Sequence, residues 1–227
     1  LLAHSDAEGG NEEAVADAVR EVVGLPRAAM SDEDAIRTAL DPTRNPVHGE
    51  TMTVTTLAKI SRALAHAGYT FKKRLSHTAD SQDQRHRMTP GSRPILVAHL
   101  TNEPDFVIPA LLAHSDAARD LYTETMVRTW EANGKLRALG VRDDWAAYLL
   151  PNAVTVRFTE SADLLHLHHK LKSRLCYNAQ EEIWRASVEE AEQVAAVNQR
   201  IGRWLLPPCG LRHRSETGPI CPEGKRY

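Results

Sequence analysis

Two blocks of this sequence place polar side chains where they could bind and transform an anionic ligand. In the first, DQRHRMTPGSRP at residues 83–94, arginines flank a histidine and a Pro-Gly turn follows. Arginine binds phosphate through two parallel hydrogen bonds, and a turn with exposed amides favours anions. Cations are also favourable at a solvated helix C-terminus. The residue types alone therefore leave an anion site and ordinary surface both open.

The second block, PNAVTVRFTESADLLHLHHKLKSRLCYNAQEEI at residues 151–183, predicts a strand that leads into a helix. It carries three histidines and, at a break in the helical pattern, one arginine: His166, His168, His169 and Arg174. Histidines at this spacing cannot all share one helical face, and metal ligands need convergent partners. We interpret the histidines as interface or ordinary polar positions, and we predict no metal site.

The composition limits the class of protein. Lys and Arg number 28 against 30 Asp and Glu, a net charge of -2. A nucleic-acid-binding module would be more basic, and aromatic residues that could stack on bases make up only 5% of the chain. No apolar run approaches the roughly 18 residues of a membrane span. We therefore expect a protein that binds neither nucleic acid nor membranes. With only 3 cysteines, we expect it to lie in the reducing cytoplasm.

The heptapeptide LLAHSDA occurs twice, at residues 1–7 and 111–117. Identity over seven residues is rare by chance, and internal repeats indicate duplicated units. We interpret it as the remnant of a tandem duplication, with convergence on a helix start as the alternative. The chain opens on Leu1 and not on Met, so we expect a trimmed or processed start.

Hydrophobic periodicity predicts a mixed α/β, or α+β, fold with long packed helices. Apolar residues at helical spacing predict helices at 11–23, 51–66, 105–133 and 180–204, and another that starts at Ser31. Alternating patterns predict strands at 69–75 and 154–158, and 95–100 fits a strand or the start of a loop.

Polar positions refine these elements. Ser161 is a typical helix N-cap. The stretch 76–87 predicts a helix with almost no apolar residue, which would be solvated or would line a polar site. Within it, Gln82 and Arg85 would share a face because they lie three residues apart.

These patterns divide the chain into three predicted segments. They are an N-terminal helical segment at 1–45 that could close a preceding repeat, a main domain at 46–206, and an irregular tail at 207–227. The tail offers three possible zinc ligands at irregular spacing: Cys209, His213 and Cys221. Such spacing is a weak indication of zinc, and we interpret the tail as a packed arm or a subunit contact.

Together, the two blocks resemble the flavin-dependent thymidylate synthases, the ThyX family. RHR at 85–87, a following Ser-Arg, and R-x3-N-A-Q-x-E-I at 174–183 match that family's motifs in the right order, over about residues 66–200 of the domain predicted at 46–206. The resemblance implies a mixed α/β homotetramer with active sites between subunits. It implies reductive methylation of dUMP to dTMP, in which methylenetetrahydrofolate gives the carbon, FAD carries the hydride and NADPH supplies it.

The resemblance also implies a role for each matching residue that meets the substrate. Gln82 and Arg85 match positions that contact dUMP, and Ser92 and Arg93 match those that hold its phosphate. Arg174 matches an arginine thought to polarise the uracil ring, where a guanidinium would stabilise developing charge. Ser92 and Arg174 are therefore the predicted catalytic residues.

The implied flavin contacts come from both blocks. Arg85, His86 and Arg87 match the flavin-contacting RHR. Asp163 and His169 stand where the family usually has asparagines, and Asn178 stands where it usually has histidine. A flavin performs the redox step while such residues orient the ligands.

Several positions depart from the family pattern. Pro90 and Gly91 shorten the loop after RHR, Ala65 replaces a glutamate before His66, and Ala147 replaces an arginine. We expect one of four nearby cations to compensate: Lys72, Lys73, Arg74 or Arg142. A degenerate ThyX-like domain that binds a ligand or has a structural role, without turnover, is the alternative.

Overall fold

The computed structural model describes residues 2–5, 10–50, 58–99, 101–218 and 221. Along the chain its strands and α-helices are β1 Leu2–Ser5, α1 Gly10–Val23, α2 Asp32–Leu40, α3 Val47–Glu50, α4 Lys59–Arg62, β2 Gly68–Ser76, α5 His77–Asp83, α6 Asp116–Ala138, α7 Asp143–Ala146, β3 Thr155–Asp163, α8 Leu164–Arg174, α9 Glu181–Val197, α10 Gln199–Gly202 and α11 Pro208–Arg214. Short 3-10 helices lie at Ala63–His66, Leu96–His99, Ala110–His114 and Ala147–Leu149. The predicted α+β class is confirmed.

The sheet has the strand order β1-β2-β3. β1 is antiparallel to β2, with Leu2 opposite Phe71 and Ser5 opposite Tyr69, and a bulge lies between Leu2 and His4. Tyr69 and Phe71 are buried, because alternate residues of a strand point to the same face. None of the helices in the described part of the chain is long and apolar enough to cross a membrane.

The chain divides into two compact units. Over the described residues, the first unit comprises Leu1–Lys72, His86–Pro90 and Glu160–Tyr227, and the second comprises Lys73–Arg85 and Gly91–Thr159. β2 and β3 each begin in one unit and end in the other. These boundaries differ from the predicted segments, which remain a prediction.

The first unit contains the larger apolar core. Helix α1 packs against α2 and against the 3-10 helix Ala63–His66. The buried side chains include Val15, Val19, Ile36, Leu40, Leu64, Tyr69, Phe71, Leu164, Leu167, Leu171 and Ile201. Helix α2 begins where Ser31 accepts a hydrogen bond from the Asp34 amide, so the start predicted at Ser31 is confirmed.

A fully buried ion cluster ties three elements of the first unit together. The Lys170 ammonium on α8 donates to Glu160 of β3 and lies 3.1 Å from a carboxylate oxygen of Glu190 on α9. The three side chains are at most 4% exposed. The two carboxylates depend on the Lys170 ammonium, since a buried charge without a partner is strongly unfavourable.

The second unit has a smaller core and an open apolar surface. Its buried apolar side chains include Leu75, Ala79, Met126, Trp130, Ala146, Val154, Val156 and Phe158. Met126 and Trp130 lie on α6, and Asn133 donates to the Ala146 carbonyl of α7 at 2.7 Å. Leu121 on the same helix is 66% exposed.

Several predicted elements are confirmed in the described residues. Helix α1 matches the helix predicted at 11–23, and β2 covers the strand predicted at 69–75. The strand predicted at 154–158 corresponds to the start of β3, which begins at Thr155 and continues to Asp163. The helix predicted at 51–66 is helical from Lys59 to His66, and residues 51–57 lie outside the described residues.

Other predictions about local structure are wrong. Ser161 lies inside β3, and Asp163 caps α8 by accepting a hydrogen bond from the His166 amide. Residues 95–100 include the 3-10 helix Leu96–His99. The helix predicted at 105–133 begins only at Asp116, because Ser115 caps it there.

The long helix predicted at 180–204 is broken at Asn198. The Asn198 side chain accepts a hydrogen bond from the Tyr69 hydroxyl at 2.9 Å, and α10 starts directly after it. A Cβ added at Gly202 would lie 2.3 Å from the Ala195 Cα. The break therefore turns α10 back against α9, which only a glycine at position 202 permits.

The tail predicted to be irregular contains a helix, α11 at Pro208–Arg214. Proline is well tolerated in the first turn of a helix, where its missing N–H is not needed. Leu211 is fully buried and α11 packs against α3. The prediction of an irregular tail is therefore wrong from 208 to 214, although Leu211 does pack into the first unit.

The two copies of the repeated heptapeptide adopt different structures where they are described. Leu2–Ser5 forms β1, whereas the same four residues at 112–115 end a 3-10 helix and cap α6. Residues 1, 6 and 7 lie outside the described residues. The sequence identity therefore does not correspond to a repeated structural element.

Replacing Lys170 by Met should lower the free energy of unfolding by about 3–5 kcal/mol, because two buried carboxylates lose their cation. Urea unfolding checks this value. Adding Glu160→Gln and Glu190→Gln should recover most of the loss. A loss below about 1 kcal/mol is typical of exposed pairs, and it would contradict the dependence of the two buried carboxylates on Lys170.

Candidate functional site

The first block lies where helix α5 ends. Ser76 caps the start of this helix by accepting a hydrogen bond from the Ala79 amide, and the helix ends at Asp83 with Gln84 as its C-cap. Arg85 therefore lies beyond the helix, and the prediction that Gln82 and Arg85 share a helical face is wrong. Gln82 is half-buried and Arg85 is exposed in the second unit.

The division between the two units falls inside the RHR triplet. Arg85 belongs to the second unit, whereas His86 and Arg87 belong to the first. Arg87 is exposed and His86 is half-buried. The Thr89 hydroxyl and amide both donate to the His86 carbonyl, at 2.8 and 3.0 Å, which closes the turn after His86.

Arg93, predicted to hold a phosphate, is engaged by carboxylates of the second unit. Its Nε lies 2.6 Å from Asp80 and one terminal nitrogen lies 3.1 Å from Asp83. Its guanidinium lies 4.2 Å from the centroid of the Phe158 ring. Asp83 also accepts from Lys73 at 2.7 Å. A phosphate would have to compete with two carboxylates for this arginine.

The Pro-Gly turn brings the backbone close to that guanidinium. A Cβ added at Gly91 would lie 2.2 Å from an Arg93 terminal nitrogen and 3.2 Å from the Phe158 ring. Ser92 follows with an exposed side chain, and its amide donates to the Thr159 carbonyl at 2.8 Å. The shortened loop therefore fixes the Ser92 backbone on β3 and leaves the hydroxyl in solvent.

The cations expected to compensate in the second unit also form ion pairs. They are Lys73 with Asp83, Arg74 with Asp105 and Arg142 with Asp144. The Lys73 pair is buried, and the other two involve exposed arginines. Exposed pairs are weak and exchange with ligands more readily than buried ones, so Arg74 and Arg142 are more available to an anion than Lys73.

In the first unit, Asp163 performs a structural task. One carboxylate oxygen accepts from the His166 amide at 2.9 Å, and both oxygens lie 2.8 Å from His166 Nδ1. The residue predicted to contact a flavin therefore caps α8 and orients a histidine. The resemblance implied a flavin contact for Asp163, whereas its hydrogen bonds are those of a helix N-cap.

His86 and His169 meet in the first unit. Their ring centroids are 5.8 Å apart with an interplanar angle of 73°. His169 Nδ1 is buried and has no hydrogen-bond partner among the described residues. Burial, then Lys172 and His166, lower the pKa of His169. A neutral imidazole with a buried, unsatisfied nitrogen is suited to hydrogen bonding with a ligand.

A second pair of histidines lies deeper in the first unit. The rings of His48 and His168 pack edge to face, 4.8 Å between centroids. Neither His48 nitrogen has a hydrogen-bond partner among the described residues. Burial, and then Lys172, lower the pKa of His48 to about 4. Burial, followed by His48 and Lys172, lowers the pKa of His168 well below its usual value. Burial lowers the pKa of Lys172 to about 8.

Arg174 is the last residue of α8, and Asn178 lies exposed in the loop that follows. Two aromatic residues that were not predicted from the sequence hold this loop. Tyr177 and Trp184 stack, and the Trp184 indole donates to the Leu175 carbonyl at 3.2 Å. Their spacing of seven residues indicates no contact, because Tyr177 lies before the start of α9 and residues seven apart share a helical face only if both lie in one helix.

Within the described residues, no group of three or more His, Cys, Asp or Glu side chains could hold a metal ion. Cys209 and His213 both lie on α11, whereas Cys221 lies beyond it. The acidic partners of Arg93 were also missed, because Asp80 and Asp83 are the two carboxylates of a polar helix and only the fold brings them to the turn.

Comparison with known proteins identifies the family. The family described as thymidylate synthase complementing protein, Thy1, matches residues 6–198, a range that includes both blocks. The chain belongs to this family, and the resemblance to ThyX is confirmed. The match also includes most of the segment predicted at 1–45.

Curated relatives agree with this assignment. The chain is 30% identical over 165 residues to the flavin-dependent thymidylate synthase of Geobacter sulfurreducens, covering 71% of this chain and 68% of the relative. It is 27% identical over 150 residues to the enzyme of the same name from Sulfurisphaera tokodaii, covering 64% of this chain and 57% of the relative. It is 28% identical over 137 residues to that of Pyrococcus abyssi, covering 58% and 56%.

Acid should destabilise the protein through His48. Because its pKa of about 4 lies below the unfolded value of 6.5, the unfolded chain takes up the proton first. The free energy of unfolding is therefore highest above pH 6.5 and falls toward pH 4, by up to about 3 kcal/mol from this group.

His48→Phe should keep the ring contact with His168 and flatten this pH dependence. Urea unfolding between pH 7 and pH 4 measures the slope. The matched control is His114→Phe, at an exposed histidine, which should leave the slope unchanged. Equal slopes in the parent and in His48→Phe would contradict the assignment to His48.

Gly91→Ala should lower the free energy of unfolding by about 1–3 kcal/mol, because the methyl group collides with a guanidinium fixed by two carboxylates. Gly134, with open space around its Cβ position, is the control within α6. Gly134→Ala should raise the free energy of unfolding by up to about 1 kcal/mol. Thermal or urea unfolding of both variants checks the opposite signs, and a neutral Gly91→Ala would show that Arg93 moves freely.

Proposed function

We propose that this protein is an FAD-dependent thymidylate synthase that converts dUMP to dTMP with methylenetetrahydrofolate and NADPH. The observation that carries the proposal is the family match over residues 6–198, which contains the RHR and Arg174 blocks together. We further propose a cytoplasmic enzyme. The roles of the individual substrate- and flavin-contacting residues are part of the same proposal.

In the second unit we propose that Gln82, Arg85 and Ser92 bind dUMP. The exposed Arg85 guanidinium and the Ser92 hydroxyl provide the charge and the donor that a phosphate needs. Arg93 joins them only if the phosphate displaces Asp80 or Asp83, which lie within 3.1 Å of it. Its role in this proposal is therefore secondary to that of Arg85.

In the first unit we propose that His86, Arg87, His169 and Asn178 contact the flavin. The buried, unsatisfied Nδ1 of His169 beside the His86 ring fits a hydrogen-bonding ligand atom. Asp163 fits less well, because its oxygens already serve the His166 amide and ring. When bound, the flavin supplies the hydride chemistry that the protein side chains lack.

Arg174 has the central chemical role in the proposal. A guanidinium beside the uracil carbonyl would stabilise the negative charge that develops on the ring when C5 attacks the one-carbon unit. An arginine stays charged throughout the pH range of interest and offers two parallel donors to a planar acceptor. Ser92 would hold the phosphate end of the same nucleotide and so fix its orientation.

We propose that the protein acts as a homotetramer. The second unit exposes large apolar side chains, among them Leu111, Leu121, Leu139, Trp145 and Tyr148. Exposed apolar surface of this kind marks interaction sites. In the ThyX scheme, active sites form between subunits, so that the residues of the two units can come from different chains.

The alternative is a degenerate family member that binds nucleotide or flavin without turnover. Two observations favour it: the carboxylates on Arg93 and the capping role of Asp163. Both residues are engaged where the resemblance implied ligand contacts. A chain that has lost these contacts could keep a flavin and lose the reaction.

The deciding experiment measures two quantities on the purified protein. A flavin absorption spectrum reports whether the cofactor binds, and tritium release from C5-labelled dUMP with methylenetetrahydrofolate and NADPH reports turnover. Tritium release supports the enzyme, and bound flavin without release supports the degenerate alternative. If the protein shows no bound flavin and no release, both hypotheses are rejected.

Arg174→Ala should lower turnover by about 100-fold or more, because a donor to the developing charge is lost. Tritium release measures the effect, and circular dichroism checks that the fold is kept. The matched control is Arg185→Ala on α9, whose exposed pair with Glu181 contributes little. If the Arg174 variant kept full activity, the role given to this arginine would be wrong.

A further inference from the structure

The loop at residues 175–180 joins α8 to α9 and carries no regular hydrogen-bonded structure of its own beyond one turn, in which the Ala179 amide donates to the Cys176 carbonyl at 2.9 Å. Arg174 ends the helix before the loop, and Asn178 lies within it. Any group that fixes this loop therefore also limits where Arg174 can point.

Trp184 contacts the loop at two places. Its indole Nε1 donates to the carbonyl of Leu175, the residue directly after Arg174, at 3.2 Å. Its ring stacks on Tyr177, with centroids 5.3 Å apart and an interplanar angle of 29°. One half-buried side chain on α9 thus holds both the start and the middle of the loop.

The hydrogen bond meets a specific need of helix α8. The last carbonyls of a helix have no partner within the helix and must find one elsewhere. Leu175 is the C-cap of α8, and its amide still donates to the Leu171 carbonyl at 2.9 Å. The indole N–H therefore satisfies the C-cap carbonyl next to Arg174, and it fixes the peptide plane from which the chain leaves the helix.

Trp184 is itself held firmly. Its amide donates to the Gln180 carbonyl at 2.9 Å, in the first turn of α9. Helix α9 is in turn fixed to α8 by the ion pair between Lys170 and Glu190. The Trp184 side chain that contacts the loop is therefore carried by a helix that is itself fixed to α8.

We propose that Trp184, stacked on Tyr177, is a positioning residue for Arg174. The inference rests on the proposed function, because it assigns Trp184 a role in how Arg174 meets the pyrimidine ring. Trp184 touches neither substrate nor cofactor in this scheme. It acts by keeping the loop at 175–180 in one conformation. Because the loop is already ordered, binding of the nucleotide does not carry the entropic cost of ordering it.

The first test needs no substrate. Hydrogen exchange followed by mass spectrometry should show faster exchange across 175–180 in Trp184→Phe, by about five- to tenfold, because a hydrogen bond is lost while the ring remains. Tyr177→Ala, which removes the stacking partner, should change exchange in the same direction. Trp145→Phe replaces an exposed tryptophan of the second unit and should leave this loop unchanged.

The second test asks whether the anchor acts through Arg174. Calorimetry on the flavin-loaded protein gives the affinity for dUMP in the parent, Trp184→Phe, Arg174→Ala and the double variant. Trp184→Phe should weaken dUMP binding about five- to tenfold in the parent and have no further effect once Arg174 is alanine. A merely structural role would lower affinity equally in both backgrounds.

The outcomes separate this proposal from the proposed function. Unchanged exchange in Trp184→Phe would overturn the anchor itself. Equal losses of dUMP affinity in both backgrounds would overturn only the positioning role. A parent protein that does not bind dUMP would overturn the proposed function and with it any role of Trp184 in that function.

Discussion

The burial of one ammonium group between two carboxylates is the constraint on which the first unit depends. Lys170 cannot leave the interior without exposing Glu160 and Glu190 to an unfavourable environment, and the three residues come from β3, α8 and α9. Helix α8 is therefore held to β3 and α9 at Lys170. Its two ends carry the Asp163 cap and Arg174. Removing one partner of this cluster would leave a buried charge unpaired, which is far more costly than a small loss of apolar contact.

The second unit uses the same physical device for a different purpose. Asp80 and Asp83 hold Arg93 over the Phe158 ring, and Gly91 leaves room for the guanidinium. The turn after the RHR triplet is thus stabilised by charges that a phosphate-binding site would need to keep available. The contacts with Asp80 and Asp83 that make the turn rigid also leave Arg93 less available to a phosphate.

The sequence was sufficient for features that depend on local patterns. Alternating residues predicted β2, and apolar spacing predicted α1, because these periods follow from backbone geometry alone. Ser161 failed as a cap because β3 continues through it to Asp163 and a strand pairing outweighs a weak local preference. The break at Asn198 depends on Tyr69, which lies 129 residues away along the chain. The partners of Arg93 and the anchor at Trp184 are likewise contacts that no local pattern encodes.

The two copies of Leu-Ala-His-Ser show how little a short sequence decides. One copy pairs with β2, and the other leads into the cap of α6. Their side chains are identical, so the choice of partner for β2 must come from the residues around each copy. During synthesis β2 emerges after the first copy and before the second. A β2 that formed as it emerged would meet only the first copy, whereas refolding from denaturant would expose it to both.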